Sequence, residues 1–167
     1  MIPEFGQFAL IVALISAVIQ SVLPVIGTIT KQPNLIMVAR PAAQAQFLAL
    51  VVSFSCLIYA FVTHDFSVKY VANNSNYDLP LIYRVSAVWG AHEGSLLLWA
   101  LVLSIWTFAV TIFSRQVPSL MLARVVSIMG WVSIGFLLFM IMTSNPFERL
   151  FPIPLQGRDL NPLLQDI

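Results

Sequence analysis

Four long stretches of this chain carry no charged residue: 7–30, 41–63, 95–114 and 125–143. A helix rises about 1.5 Å per residue, so about 20 residues cross a hydrocarbon layer, and each stretch is near that length. Lipid offers the backbone no hydrogen-bond partners, so a segment of this kind must satisfy its own amides as a helix. The alternation of apolar and polar residues that marks a membrane β-barrel strand is absent. Hydrophobic residues make up 59% of the chain and charged ones 9%, far from the roughly 25% charged residues of soluble domains. The sequence therefore predicts an all-α integral membrane protein with four transmembrane helices.

Chain breakers fall between the stretches. Lys31-Gln32-Pro33-Asn34 and Arg40-Pro41 bracket the first connection, and Arg115, Pro118 and Arg124 mark the third. Pro41 and Pro118 suit the first turn of a following helix, where a missing N–H costs nothing. The segment 64–94 reads as an ordered outer loop, with polar turn formers (His64-Asp65-Phe66-Ser67, Asn73-Asn74-Ser75-Asn76) around Val68, Tyr70 and Val71. The stretch 144–167 holds four prolines, which exclude a long regular helix. The chain thus divides into a transmembrane region over 1–143 and a proline-rich tail over 144–167.

The N-terminus has an acid, Glu4, and no cation ahead of the first apolar stretch, so it reads as a retained helix and not a removable signal. Lys31, Arg40, Arg115 and Arg124 crowd two short connections on one face; Lys69, Arg84, Arg149 and Arg158 lie on the other, with all seven acids. The short, wholly cationic connections place the first face in the cytoplasm. The N-terminus, 64–94 and the tail then lie outside it. A net charge of +1 gives no case for nucleic acid, and a lone Cys56 inside an apolar run permits no internal disulfide.

The densest polar cluster at a membrane edge is Trp89-Gly90-Ala91-His92-Glu93-Gly94-Ser95, which runs into Leu96-Leu97-Leu98-Trp99. Ionisable groups at the end of a span are candidates for function. They also suit helix capping, where Glu93 would favour the positive end of the dipole. Gly90 and Gly94 would admit a close neighbour, either a helix or a flat ligand. Trp89 fits an interfacial belt, while Trp99 and Trp106, seven apart, share a helix face turned to lipid or a packed helix. Gln44 and Gln46 suit interhelical hydrogen bonds. No phosphate-binding glycine loop, nucleophile elbow, zinc-type Cys/His cluster or C-x-x-C-H motif is present, and His64 and His92 are the only histidines.

Several stretches, in order along the chain, resemble the N-terminal part of the CcmF family, the large membrane subunit of the bacterial cytochrome c haem lyase. They include Ile2-Pro3-Glu4-Phe5-Gly6-Gln7-Phe8, Ala39-Arg40-Pro41-Ala42-Ala43-Gln44 and the whole motif from Val88 to Trp99. Thr143-Ser144-Asn145-Pro146-Phe147-Glu148-Arg149 and the stretch from Gly157 to Asp166 complete the match. A nitrite-reductase-associated paralogue shares the pattern.

The resemblance implies a multi-pass protein of the bacterial inner membrane, N-terminus periplasmic, that forms the N-terminal part of a larger polytopic helical bundle. It implies haem taken from the chaperone CcmE and joined covalently to apocytochrome c, with CcmH and CcmI as partners and haem b in the full-length family. The family's axial histidines and tryptophan-rich domain lie beyond the matched region. No axial ligand or catalytic residue is transferred, and the chain alone is expected neither to carry haem nor to be catalytically competent. Trp89, Gly90, His92, Glu93 and Trp99 are the residues expected near haem. The family continues with proline where this chain has Ile167, so the sequence reads as the first part of a split or truncated member, with the remainder of CcmF as a partner. An ion- or proton-translocating subunit using His92 and Glu93, and a non-functional remnant, are the alternatives. Against the first stands the lack of any carboxylate within the four stretches.

Overall fold

The computed structural model describes residues 1–114, 116–154 and 156–158. Arg115, Asp159 and Asp166, and the family-like stretch over 159–166, lie outside the described residues. Seven helices follow one another: α1 (Ile2–Thr30), α2 (Pro33–Met37), α3 (Ala39–Val62), α4 (Lys69–Asn74), α5 (Leu81–Ala87), α6 (His92–Phe113) and α7 (Ser119–Thr143). Among the described residues there is no strand, only an isolated antiparallel bridge between Val68 and Arg149.

Four runs are long and apolar enough to cross a membrane: α1, the run Pro33–Val62, α6 and α7. The helices outrun the uncharged stretches. With Pro3 in its first turn, where no amide is lost to the ladder, α1 starts at Ile2. It ends on Lys31 in the left-handed region (φ 57°), whose N–H reaches the Gly27 carbonyl. Only Val38, itself helical in φ and ψ, separates α2 from α3. Pro41 stands in the first turn of α3 as expected, but Pro118 caps α7 from outside with an extended ψ of 135°.

In the bundle, α1 packs on α3 and α7, and α6 closes the ring against α3 and α7. Apolar attraction cannot bring helices together in lipid, so association rests on close packing and interhelical hydrogen bonds. The buried faces show both. Gly6, Ala9, Ala13 and Ala17 of α1 and Ala42, Ala49, Ser53 and Ala60 of α3 are buried, and Ser53 Oγ donates to the Gly6 carbonyl at 3.1 Å. Deeper in, Gln20 Nε2 donates to Gln46 Oε1 at 2.6 Å, both side chains fully buried. Ser127 of α7 donates to the Gln20 carbonyl at 3.2 Å, and Gly130 lets α7 lie against Ser21 and Gln20. Gln46 thus makes the interhelical bond its position suggested, whereas Gln44 is half-buried. Large apolar side chains such as Phe8, Leu48, Trp106 and Met142 face outward.

The segment over 64–94 is more helical than a loop. Phe66, Val68, Tyr70, Val71, Ala87 and Val88 are buried and join the bundle's main core. Burying that apolar set folds the segment back over the end of the bundle, and α4 and α5 satisfy its amides locally.

Candidate functional site

The end of the bundle that carries the Trp89–Trp99 motif is held by three lengths of chain. Arg149 donates to Ser67 Oγ and to the Glu4 carboxylate, and Asp65 Oδ1 lies 4.0 Å away. Lys69 N–H donates to the Glu148 carbonyl and Leu150 N–H to the Ser67 carbonyl, both at 2.9 Å. Lys69 Nζ pairs with Glu148 Oε2 at 2.9 Å. Exposed ion pairs of this kind contribute little individually. The backbone bonds join the residues at the start of α4 to those after α7, and the Arg149–Glu4 pair brings the start of α1 to the same end. Further along, Arg158 N–H donates to the Ala72 carbonyl at 2.7 Å, beside Gly157 packed on the Ser75 carbonyl.

His64 and Arg84 secure the segment from inside. His64 adopts φ 55°, and its ring lies 4.8 Å from that of Tyr77. Arg84 Nε donates to the Leu79 carbonyl at 2.9 Å and Nη1 to the Val62 carbonyl at 3.1 Å, while Nη1 also sits 2.9 Å from His64 Nε2. A guanidinium only donates, so Nε2 accepts and the neutral ring carries its proton on Nδ1. Burial, and then the Arg84 charge, hold the His64 pKa below its ordinary value.

The motif itself begins in the turn between α5 and α6. Tyr70, buried, donates its hydroxyl to the Val88 carbonyl at 3.0 Å and accepts from Ala91 N–H at 3.3 Å. Burial, with a smaller push from Glu93, raises the Tyr70 pKa well above the ordinary phenol value, so the hydroxyl keeps its proton. Gly94 permits this approach: a Cβ there would stand 1.7 Å from the Val88 oxygen and 2.6 Å from the Tyr70 hydroxyl. Trp89 is 43% exposed on the turn, and Gly90 N–H closes it on the Ala87 carbonyl at 3.1 Å. His92 opens α6, with Nδ1 2.7 Å from Ser144 Oγ and its ring 6.1 Å from Phe139. Glu93 is half-buried in the first turn of α6, near the positive end of the helix dipole, and caps no amide through its side chain.

Trp89, Gly90, His92 and Glu93 are thus brought to one edge. Trp99 is not among them: it lies about 10 Å further along α6, at 1.5 Å per residue, exposed on the outer face with Trp106. The two histidines differ in availability. His64 has Nε2 engaged by Arg84, whereas His92, held through Nδ1, has no partner for Nε2 among the described residues. No group of three or more metal-ligating side chains occurs among the described residues.

Comparison with known proteins gives the chain its relatives. The protein-family model described as Cytochrome C assembly protein matches residues 89–167, so it begins at Trp89. The chain is 62% identical over 167 residues to the cytochrome c-type biogenesis protein CcmF of Pseudomonas fluorescens, covering 99% of this chain and 25% of that protein. Against CcmF of Pseudomonas aeruginosa the identity is 61% over 168 residues, covering 100% of this chain and 26% of the relative. The chain's relatives are CcmF proteins. It spans about a quarter of the length of the curated relatives it matches. A solved structure titled Cytochrome c Heme Lyase CcmF superposes with a TM-score of 0.84 at 26% identity, over 89% of this chain and 25% of that one.

Tyr70, Arg84, Ser144 and Arg149 build this edge of the bundle, and the sequence did not single them out as site residues. Tyr70 and Ser144 lie 21 and 52 residues from their partners Ala91 and His92, a separation that no local spacing rule reads.

Two outcomes are expected. Gly94→Ala drives a Cβ into the Val88 carbonyl and opens the turn, so amide exchange over 88–95 rises strongly. Tyr70→Phe keeps the shape and loses only the hydroxyl's bonds, about 1 kcal/mol each, so it gives a smaller rise; equal protection in Gly94→Ala and the native chain would contradict the close approach. The second outcome concerns pH. The folded chain resists a proton on His64 that the unfolded chain accepts, so this contribution is full above the ordinary value of 6.5 and is lost as pH falls through it towards the lower folded value. Thermal midpoints in detergent should therefore fall more between about pH 6.5 and pH 5 in the native chain than in His64→Asn, whose side chain tolerates the left-handed backbone without titrating. Parallel pH profiles would show that His64 is not the group.

Proposed function

We propose that this chain is the N-terminal membrane module of a cytochrome c haem lyase, helping to attach haem covalently to apocytochrome c. It acts with the rest of a CcmF protein, with CcmH and CcmI, with the haem chaperone CcmE and with apocytochrome c. It lies in the bacterial inner membrane with the N-terminus, 64–94 and the residues after 143 on the periplasmic side. The observation that carries this reading is the edge formed by Trp89 and His92, which lies at the start of the stretch matched by the Cytochrome C assembly protein family.

Haem has an apolar ring and anionic, hydrated propionates, so it suits a site at a membrane edge that mixes a flat apolar face with polar groups. Trp89 offers such a face beside Gly90, whose lack of a side chain keeps the backbone approachable. His92 offers a nitrogen whose direction is set by the bond from its other nitrogen to Ser144. A held imidazole can donate to a propionate or contact a ligand without first losing rotamer freedom. One free imidazole nitrogen does not make a bis-histidine set. The residues therefore fit a border of the haem path, along which haem is oriented, and not a complete binding site.

Topology gives the first check. Cysteine in place of Asn74 should react with an impermeant thiol reagent added to intact cells, and cysteine in place of Gln32 should not; the reverse pattern would overturn the orientation. The role of the edge is read from maturation. Trp89→Ala and His92→Ala should lower holocytochrome c formed per haem lyase complex recovered from membranes, roughly tenfold for loss of a contact worth about 1.4 kcal/mol. Unchanged maturation per complex, with less complex recovered, would make the motif a packing element instead.

A further inference from the structure

A glycine inside a helix costs roughly 1 kcal/mol relative to alanine, so each one invites the question of what it permits. At Gly6, Gly27, Gly94, Gly130 and Gly157 a Cβ would meet another atom at 2.4, 2.8, 1.7, 2.4 and 1.9 Å, so each admits a close neighbour within the chain. Gly135 differs. A Cβ there would find nothing within 4 Å, so among the described residues its bare backbone serves no contact.

Its place on α7 suggests what it serves. Val125, Ile128, Val132, Gly135, Phe139 and Met142 are all exposed and recur at steps of three and four residues, the spacing of a seam that meets another helix. Gly135 is the one small residue in that row. It floors an apolar groove of about 350 Å³ between α6 and α7, walled by Leu96, Val132, Phe136 and Phe139. Fluid lipid chains gain nothing specific from a missing side chain, and the neighbouring outward positions carry Val, Ile, Phe and Met. A helix that packs closely in a membrane does gain, because a small residue lets the two backbones approach. Curated relatives are about four times as long as this chain.

We propose that the α6–α7 groove is the docking site of a further transmembrane helix from the longer part of the CcmF-family protein, crossing closest at Gly135. This rests on the family reading above. Phe139 forms one wall of the groove and lies against the His92 ring, so the docked helix ends beside the free nitrogen of His92. The groove thereby couples assembly of the larger bundle to the edge where Trp89 and His92 stand.

The test separates folding of this chain from assembly. Gly135→Leu should keep the helicity of the chain and leave its thermal midpoint equal or somewhat higher, because the side chain enters open space and leucine favours the helix more than glycine does. In membranes holding the complete haem lyase, the same change should lower assembly with the remaining spans about tenfold, as expected for one lost close crossing. Leu138→Ala, exposed on α7 off the row, should leave assembly unchanged. A Gly135→Cys variant carrying a short photo-cross-linker should label an apolar span outside residues 1–167. A lower midpoint for the Gly135→Leu chain itself, adducts with lipid alone, or a cross-link to a second copy of 1–167 would each overturn the proposal. If Gly135→Leu assembles normally, the docking site alone is wrong. If the native chain recovers no other part of a haem lyase, the functional reading fails with it.

Discussion

The close seam between α1 and α3 is the contact on which the remaining elements depend. In water, burial of side chains would drive such helices together, but in hydrocarbon the solvent is as apolar as leucine. Gly6 lets α3 approach, since a Cβ there would stand 3.0 Å from that of Cys56, and Ser53 and the Gln20–Gln46 pair convert that approach into hydrogen bonds. A buried amide unable to find its partner would cost more than the bond itself contributes, so the pair also fixes helix register. Register then positions Ser127 and Gly130 of α7 against the same point.

From that seam the order of construction runs outward. With α1, α3 and α7 in register, the start of α1 and the residues after α7 come to one end beside the residues before α4. Arg149 can then meet Glu4 and Ser67 together. The segment over 64–94 closes this end by burying Phe66, Tyr70 and Val88, and Tyr70 presents the α5–α6 turn through its hydroxyl. Trp89 and His92 are held at the edge as a consequence. The same order explains why His64 and His92 are unequal: one is enclosed by the closing segment and taken by Arg84, the other stands at its rim.

Gly94 and Gly135 show how far a single residue type can mean different things. Both lie on long apolar helices and neither needs a positive φ. Gly94 accommodates the chain's own Val88 carbonyl, whereas Gly135 faces a groove lined by Leu96 and Phe139.

What the sequence determined by itself was set by the solvent. Uncharged runs of membrane length admit one backbone conformation, so the four long helices and the position of Pro41 were legible along the chain. The Trp89–Trp99 motif was legible as a run of residues, but its geometry was not. Helix spacing could not tell that Ser144, 52 residues from His92, joins the edge. Nor could it tell that Val68, Tyr70 and Val71 build short helices over the bundle, because their burial depends on where α3 ends relative to α1 and α7. Local pattern records what each segment must avoid exposing to lipid. Only the tertiary structure decided which distant side chains satisfy the polar groups left at the helix ends, since those partners are chosen by packing and not by sequence distance.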